Sequence, residues 1–180
     1  MKSDMEVLSL FPTPVGIIVL KENLNKYKDY FSKEKFLEIS NKSFVSENKR
    51  ILEKYPKLKT IILNHFKNFV KETYNIIDQE FMITTSWITK IPKGAFSSLH
   101  NHKNSYYSGL IYYDDYEKGS GSITFESNRL NDSGWYIEGK SHTMFSETHV
   151  GLNPKKNGLM FFPSHLKHYV TTHNNSKTRY

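Results

Sequence analysis

The hydrophobic pattern of the chain changes its period near residue 76, and this change constrains the fold more than any other feature. Apolar side chains recur at spacings of three and four from Leu58 to Tyr74, which is typical of one face of an amphipathic helix. Pro56 favours a helix start just before them. Beyond residue 76 the pattern has a period of two, first over Phe81–Thr89, which predicts a strand. The sequence therefore predicts an α+β fold.

Short strands separated by turns are expected to dominate the second half. Clusters of Gly, Pro, Asn and Ser interrupt it repeatedly, and the last cluster begins at His173, which is expected to be solvated. Many short strands at a spacing of about 8–12 residues favour a sandwich or a barrel. The further predicted strands are Ser105–Asp114, Ser122–Glu126, Trp135–Ile137, Leu159–Pro163 and Tyr169–Thr172.

The first half is expected to support this β core. A strand is predicted over Leu8–Leu20. It is expected at a sheet edge because Pro12 and Pro14 cannot donate hydrogen bonds to a neighbouring strand. Such an edge could pair with the same edge of a second copy in a homodimer. Residues 23–75 are predicted to be helical, with one or two short helices that include Phe36–Ile39. The chain is expected to be a single domain, 1–180, with a strand and supporting helices in 1–80 and the β core in 81–180.

Composition narrows the chemistry. The 180 residues include no cysteine, which excludes disulfides, thiolate zinc sites, iron–sulfur clusters and a cysteine nucleophile, so a metal would need nitrogen and oxygen ligands. The net charge is +7, but only three of the 25 cationic residues are arginine, so nucleic-acid binding is not favoured. The longest apolar run, Val15–Leu20, is too short to span a bilayer, and the sequence does not open with a signal-peptide pattern. We therefore expect a cytoplasmic protein with no membrane partner.

Histidines supply the best candidate for a functional site. His100 and His102 precede a predicted strand, and residues two apart in an extended segment face the same side. A late segment adds His165 and His168, so a pair from an early strand and one imidazole from a late strand could hold a metal. Neutral imidazole suits iron, zinc, copper or nickel. A His-x-His pair alone is weak evidence, since many such pairs are incidental.

The order of these features along the chain resembles a known family. It is similar to the iron(II)/2-oxoglutarate-dependent dioxygenases with a double-stranded β-helix (jelly-roll) core, the superfamily of the prolyl hydroxylases, and more narrowly to the 2-oxoglutarate–iron(II) oxygenases of bacteria and phages. The resemblance extends over nearly the whole chain, in order. The matching residues are Leu10–Pro14, Trp87, His100–His102, Ser108–Tyr113, Phe162–Val170 and Arg179.

The resemblance implies a fold, cofactors and an activity. It implies a jelly-roll core with N-terminal helices packed on one face. It implies that His100 and His168, rather than His165, bind iron(II). It also implies that the distal carboxylate of 2-oxoglutarate pairs with Arg179 and with the Tyr113 hydroxyl. The implied reaction hydroxylates an unknown small-molecule or peptidyl substrate and releases succinate and CO2. The implied location is the bacterial cytoplasm, or the host cytoplasm for a phage protein.

The sequence departs from the family pattern at one ligand. Where the superfamily's motif has a carboxylate, this chain has His102. Either the site has three histidines or a carboxylate from elsewhere completes it, with Asp114 the first candidate before Asp115 and Glu126. Aromatic side chains are expected to line the pocket: Trp87, Phe125, Phe161 and Phe162.

Two other functions compete with the oxygenase. The first is a cupin-like metal protein or isomerase with the same core, which would keep the histidines and not need Arg179. The second is a non-enzymatic basic binding module, which would bind no metal and bind nucleic acid in a salt-dependent way.

Overall fold

The chain forms antiparallel β-sheets with few helices. The structure, a computed structural model, describes residues 5–76, 79–127, 141 and 143–180. The predicted strand Trp135–Ile137 lies outside these residues. The strands are β1 Gly16–Val19, β2 Phe36–Glu38, β3 Phe44–Ser46, β4 Thr89–Lys90, β5 Ser97–His100, β6 Tyr107–Ile111, β7 Ile123–Glu126, β8 His149–Leu152, β9 Gly158–Pro163 and β10 His168–Val170. The helices are α1 Lys28–Ser32 and α2 Pro56–Tyr74, with 3-10 helices at Leu24–Tyr27 and Ile51–Lys54.

The described strands form three sheets. One has the order β1-β9-β6, a second has the order β5-β10-β7-β8, and a third small sheet has the order β2-β3-β4. All named strand pairs are antiparallel. The first strand lies at a sheet edge, as predicted, but it is shorter than predicted and begins only after the two prolines.

Strand β9 separates two apolar clusters. All six of its residues are buried, and their side chains alternate between the two faces of the sheet. Leu159 and Phe161 pack with the helices, whereas Met160 and Phe162 pack with Ile123 and other residues of the second sheet. One buried strand therefore anchors the helices on one face and the second sheet on the other.

Helix α2 covers the helical side of β9. It begins at Pro56, as the sequence predicts, and ends where Asn75 adopts a left-handed conformation at its C-cap. Phe66 of the helix contacts the Phe161 ring edge to face and Phe69 stacks on it, with ring centroids 5.3 and 5.9 Å apart. None of the helices among the described residues combines the length and the apolar character that crossing a membrane requires.

Two secondary-structure predictions before residue 90 are wrong. The predicted helix around Phe36 is the hairpin of β2 and β3, whose turn contains Asn41 and Lys42 with positive φ. The predicted strand Phe81–Thr89 is reduced to β4 and one isolated bridge at Ser86. In both cases local apolar spacing did not reveal which backbone groups find partners, because that depends on distant segments.

His173 also contradicts its prediction. It was expected to be a solvated turn residue, but it is only 1% exposed. Its backbone N–H donates to the carbonyl of Ala95 at 2.9 Å, and its own carbonyl accepts from the N–H of Gly94 at 2.7 Å. These bonds fasten the turn to the chain that follows β4, which buries the imidazole.

Candidate metal centre

Three histidines meet at one end of the β5-β10-β7-β8 sheet. His100 is the last residue of β5 and His168 is the first of β10, and the two are direct partners across the antiparallel pair. His102 follows two residues after His100, and its N–H donates to the carbonyl of Ser164 at 2.9 Å. One ligand nitrogen from each of the three imidazoles lies within 4.8 Å of the others. Strand pairing therefore brings His100 to His168, and the hydrogen bond to Ser164 places His102 beside them.

Backbone carbonyls orient two of the imidazoles. The Nδ1 atom of His100 lies 2.7 Å from the carbonyl oxygen of Ser98, and Nδ1 of His168 lies 2.9 Å from that of Leu166. A carbonyl can only accept, so Nδ1 carries the proton in each ring and Nε2 keeps its lone pair. Metal-binding histidines in proteins usually show this arrangement, in which the second ring nitrogen donates to a carbonyl.

The surroundings keep two of the imidazoles, those of His102 and His168, neutral. Burial lowers the pKa of His168 to about 4; the hydrogen bond to Leu166 raises that pKa, and His100 and His102 lower it further. Burial, followed by the effect of His100, also lowers the pKa of His102. Neutral imidazole is the form that binds a metal. His168 is buried, His102 is half-buried and His100 is exposed, so the centre opens toward solvent on the His100 side.

Aromatic rings contact the histidines. Phe162 and Phe125 lie 4.9 and 5.8 Å from His168, and Trp87 lies 5.6 Å from His102, as centroid distances. Phe161 was also expected to line the pocket, but it packs against α2 on the opposite face of β9. The alternation of side chains along β9 explains this difference.

The structure places the candidate carboxylates elsewhere. Among the described residues, the group that could hold a metal contains the three histidines and no carboxylate. Asp114 forms ion pairs with Lys28 at 2.9 Å and with Lys177 at 3.1 Å. The other two candidates are also paired, Asp115 with Lys156 at 2.9 Å and Glu126 with Lys167 at 3.6 Å and His149 at 3.9 Å.

Arg179 is a buried cation. It is 7% exposed, and its backbone pairs with Ile91 through two hydrogen bonds of 2.8 and 3.0 Å. Its Nη2 donates to the Tyr112 hydroxyl at 3.0 Å, and its guanidinium lies over the Tyr112 ring, 5.3 Å from the centroid. Its Nη1 is buried and has no hydrogen-bond partner among the residues that the structure describes. No carboxylate of the described residues forms an ion pair with this guanidinium, so within this part of the chain it has no anionic partner of the kind that buried charges usually have.

The tyrosine beside Arg179 is Tyr112, which sequence reasoning missed. Tyr113 packs in the cluster on the helical side, with its ring 4.9 Å from Phe31, and its buried hydroxyl has no partner. The alternation of side chains along the strand is the signal that could have identified Tyr112. Ile111 and Tyr113 pack on the helical side, whereas Leu110 packs with the opposite cluster. Tyr112 therefore follows Leu110 to the other face.

Comparisons with known proteins identify the family. A sequence model of the family described as "Putative 2OG-Fe(II) oxygenase" matches residues 85–180, which is just over half of the chain. The chain belongs to this family. No curated protein matches it.

Two solved structures are similar in fold. HygX from Streptomyces hygroscopicus, with nickel and 2-oxoglutarate bound, gives a TM-score of 0.65 at 11% identity, over 93% of this chain and 80% of that one. A Pseudomonas putida prolyl-4-hydroxylase gives a TM-score of 0.56 at 11% identity, over 93% of this chain and 89% of that one.

Family membership makes the chain an oxidoreductase with iron(II) and 2-oxoglutarate as cofactors, which confirms the expectation from the sequence. The residues present fit both groups. Three clustered imidazoles suit a divalent transition metal, and the Nδ1–carbonyl contacts of His100 and His168 leave Nε2 free as the ligand atom in those two rings. A buried guanidinium with an unpartnered Nη1 suits a carboxylate.

Proposed function

We propose that the chain is an iron(II)/2-oxoglutarate-dependent dioxygenase that hydroxylates a small-molecule or peptidyl substrate and releases succinate and CO2. The observation that carries the proposal is the convergence of His100, His102 and His168, which lie up to 68 residues apart in sequence, in a chain of this family.

The sheets support a double-stranded β-helix core. The β5-β10-β7-β8 sheet and the β1-β9-β6 sheet are both antiparallel, and they share the cluster formed by Met160 and Phe162 from one sheet and Ile123 and Phe125 from the other. The histidines lie at one end of the four-stranded sheet, at the start of β10. This placement suits a site at the open end of a rolled sheet.

We assign the three histidines as the metal ligands. Neutral imidazoles leave the two positive charges of iron(II) without an anionic protein ligand, whereas a carboxylate in the position of His102 would offset one of them. A site of this charge favours an anionic cosubstrate. It is also expected to bind the metal less tightly than a site with two histidines and one carboxylate.

The chain's own residues would bind and orient the reactants. Arg179 would pair with the distal carboxylate of 2-oxoglutarate, with Tyr112 holding the guanidinium in place. Phe125 and Phe162 would exclude water beside His168. When bound, iron(II) and 2-oxoglutarate supply the reducing equivalents that activate dioxygen, through oxidative decarboxylation to succinate.

The first test removes a proposed ligand. His168→Ala is expected to bind iron(II) at least about tenfold more weakly and to release no succinate from 2-oxoglutarate, because a ligand is lost from a three-ligand site. Metal analysis after anaerobic iron loading and a succinate assay measure both effects.

His165→Ala is the matched control. His165 is exposed, lies three residues earlier and is absent from the metal-binding group, so this variant should keep both properties. Unchanged succinate release by His168→Ala would overturn the proposal.

A further inference from the structure

A small cavity lies beside Arg179. Its volume is about 10 Å3, and the residues that line it include Asp114, Ser120, His173 and Arg179. A space of this size holds about one water molecule and nothing larger. The cavity therefore connects the proposed cosubstrate-binding arginine to a buried histidine that the proposed function does not use.

The imidazole of His173 has a fixed tautomer. Its Nε2 lies 2.6 Å from the carbonyl oxygen of Lys177, so this nitrogen carries the proton and donates. Its Nδ1 is therefore an acceptor, and this atom is buried and has no hydrogen-bond partner in the described part of the chain. Lys177 lies two residues before Arg179, but the backbone of Arg179 is held separately by its two hydrogen bonds to Ile91.

His173 and Arg179 both line the cavity, so the chemistry of their unpartnered atoms limits what it can hold. Nδ1 of His173 is an acceptor and would repel an anion, whereas Nη1 of Arg179 is a cationic donor and would repel a cation. A small neutral molecule that both donates and accepts satisfies the two, and water is the one that fits the volume. Leaving both atoms unpaired would be costly in free energy.

We propose that His173 is a positioning residue for Arg179, and that one water molecule in this cavity accepts a hydrogen bond from Nη1 and donates one to Nδ1. Nη1 carries two N–H groups, so one can bind the water while the other faces the cosubstrate. Together with Tyr112 on Nη2, the water fixes the plane of the guanidinium before 2-oxoglutarate binds. The inference rests on the proposed role of Arg179 in binding 2-oxoglutarate.

Two substitutions separate the functions of the two ring nitrogens. The side-chain amide of His173→Gln can reach the position of Nε2 and keep the contact with Lys177, but it loses the acceptor at Nδ1. The side-chain oxygen of His173→Asn can replace Nδ1 as acceptor, but it loses the contact with Lys177. Each variant is therefore the control for the other.

The experiment measures 2-oxoglutarate binding without turnover. Isothermal titration calorimetry of the full chain loaded with Mn(II) gives the Kd for 2-oxoglutarate. A separate titration gives the Kd for Mn(II). Urea unfolding gives the stability of each variant. His173→Gln is expected to raise the Kd for 2-oxoglutarate roughly five- to tenfold, as expected when a charged group loses a hydrogen bond, with Mn(II) binding unchanged. His173→Asn should bind 2-oxoglutarate nearly as the natural chain does, even if its stability is lower.

Three outcomes would overturn the inference. These are an unchanged Kd for 2-oxoglutarate in both variants, an equal rise in both, or a rise in His173→Asn alone, because the last two point to a merely structural role. Arg179→Gln identifies which proposal has failed. If Arg179→Gln weakens 2-oxoglutarate binding and His173→Gln does not, only the role of His173 falls; if Arg179→Gln has no effect, the proposed role of Arg179 falls with it.

Discussion

At the scale of single residues, His102 determines the charge of the metal centre. It stands where the family pattern has a carboxylate, and its neighbours are His100, His168 and Trp87. Burial lowers its pKa, so at neutral pH it brings no charge to the site. An aspartate in this position would change both the affinity for the metal and the affinity for an anionic cosubstrate, in opposite directions.

His102→Asp tests this reasoning. Because a carboxylate at this position would offset one positive charge of the metal, we expect Mn(II) to bind about tenfold more tightly and 2-oxoglutarate to bind several-fold more weakly. Calorimetric titration of each ligand measures the two affinities. His102→Ala is the control, since it removes the imidazole and adds no carboxylate. If the aspartate variant binds Mn(II) as weakly as the alanine variant, residue 102 is not a ligand.

The adjacent tyrosines 112 and 113 allow a matched comparison. Tyr112→Phe removes the hydroxyl that accepts from Arg179, so 2-oxoglutarate binding should weaken by about 1–2 kcal/mol, or roughly five- to thirtyfold. Tyr113→Phe removes a buried hydroxyl that has no partner, so binding should not change and stability should be kept or slightly raised. Calorimetry on the Mn(II)-loaded protein measures the binding. A larger loss in Tyr113→Phe would support the role that the family resemblance implies for Tyr113.

The sequence located the histidines but not the tyrosine, and the reason is the register of β6. His100 and His102 are two apart, so they share a face wherever the strand begins. Choosing between Tyr112 and Tyr113 requires knowing which face of β6 meets the helices, and a one-residue shift exchanges the two. The packing of Ile111 and Tyr113 against the helical cluster supplies that information, and it comes from segments far away in sequence.

At the scale of elements, β1 and α2 approach each other closely at one glycine. A Cβ atom at Gly16 would lie 2.6 Å from the ring of Phe69, closer than such contacts allow. The edge strand can therefore lie under the helix only because residue 16 has no side chain.

Gly16→Ala should destabilise the fold by about 1–3 kcal/mol, since the Phe69 ring must move out of its contact with Phe161. Urea unfolding measures the change. Gly151→Ala is the control, because its Cβ would lie 3.5 Å from its nearest neighbour, an ordinary contact. Adding Phe69→Leu should reduce the penalty at Gly16, and a strictly additive double variant would show that the two residues do not interact.

Long periodic elements were predictable and short irregular ones were not. Helix α2 begins at Pro56 as expected, because nineteen residues of one amphipathic pattern leave little ambiguity. The hairpin β2–β3 was predicted as helix, because three-residue strands contain too few residues to show a period. What stabilises the hairpin is its pairing with β4, more than forty residues later in the chain.

At the scale of the whole molecule, Asp114 joins segments from both ends of the chain. Its carboxylate contacts Lys28 of α1 and Lys177 near the C-terminal end. It also accepts from the N–H of Asp115 at 2.8 Å. Burial alone would raise the pKa of Asp114, but the hydrogen bonds from Lys28, Asp115 and Lys177 outweigh it and lower the pKa below its ordinary value of 3.8. The sequence suggested that Asp114 could be a metal ligand. The structure shows Asp114 in an ion-pair network, and one member of that network, Lys177, lies two residues before Arg179.

This network should make stability depend on pH. A carboxyl whose pKa is lowered by folding contributes stability above its unfolded pKa, and the contribution is lost as the pH falls through the lower, folded pKa. Asp114→Asn should therefore lower the free energy of unfolding by about 1–3 kcal/mol at pH 7, and by less as the pH approaches 3. Urea unfolding at both pH values measures the difference. Asp115→Asn, which breaks only the exposed pair with Lys156, should cost less than about 1 kcal/mol. Equal losses in the two variants at pH 7 would show that Asp114 is no more than a surface charge.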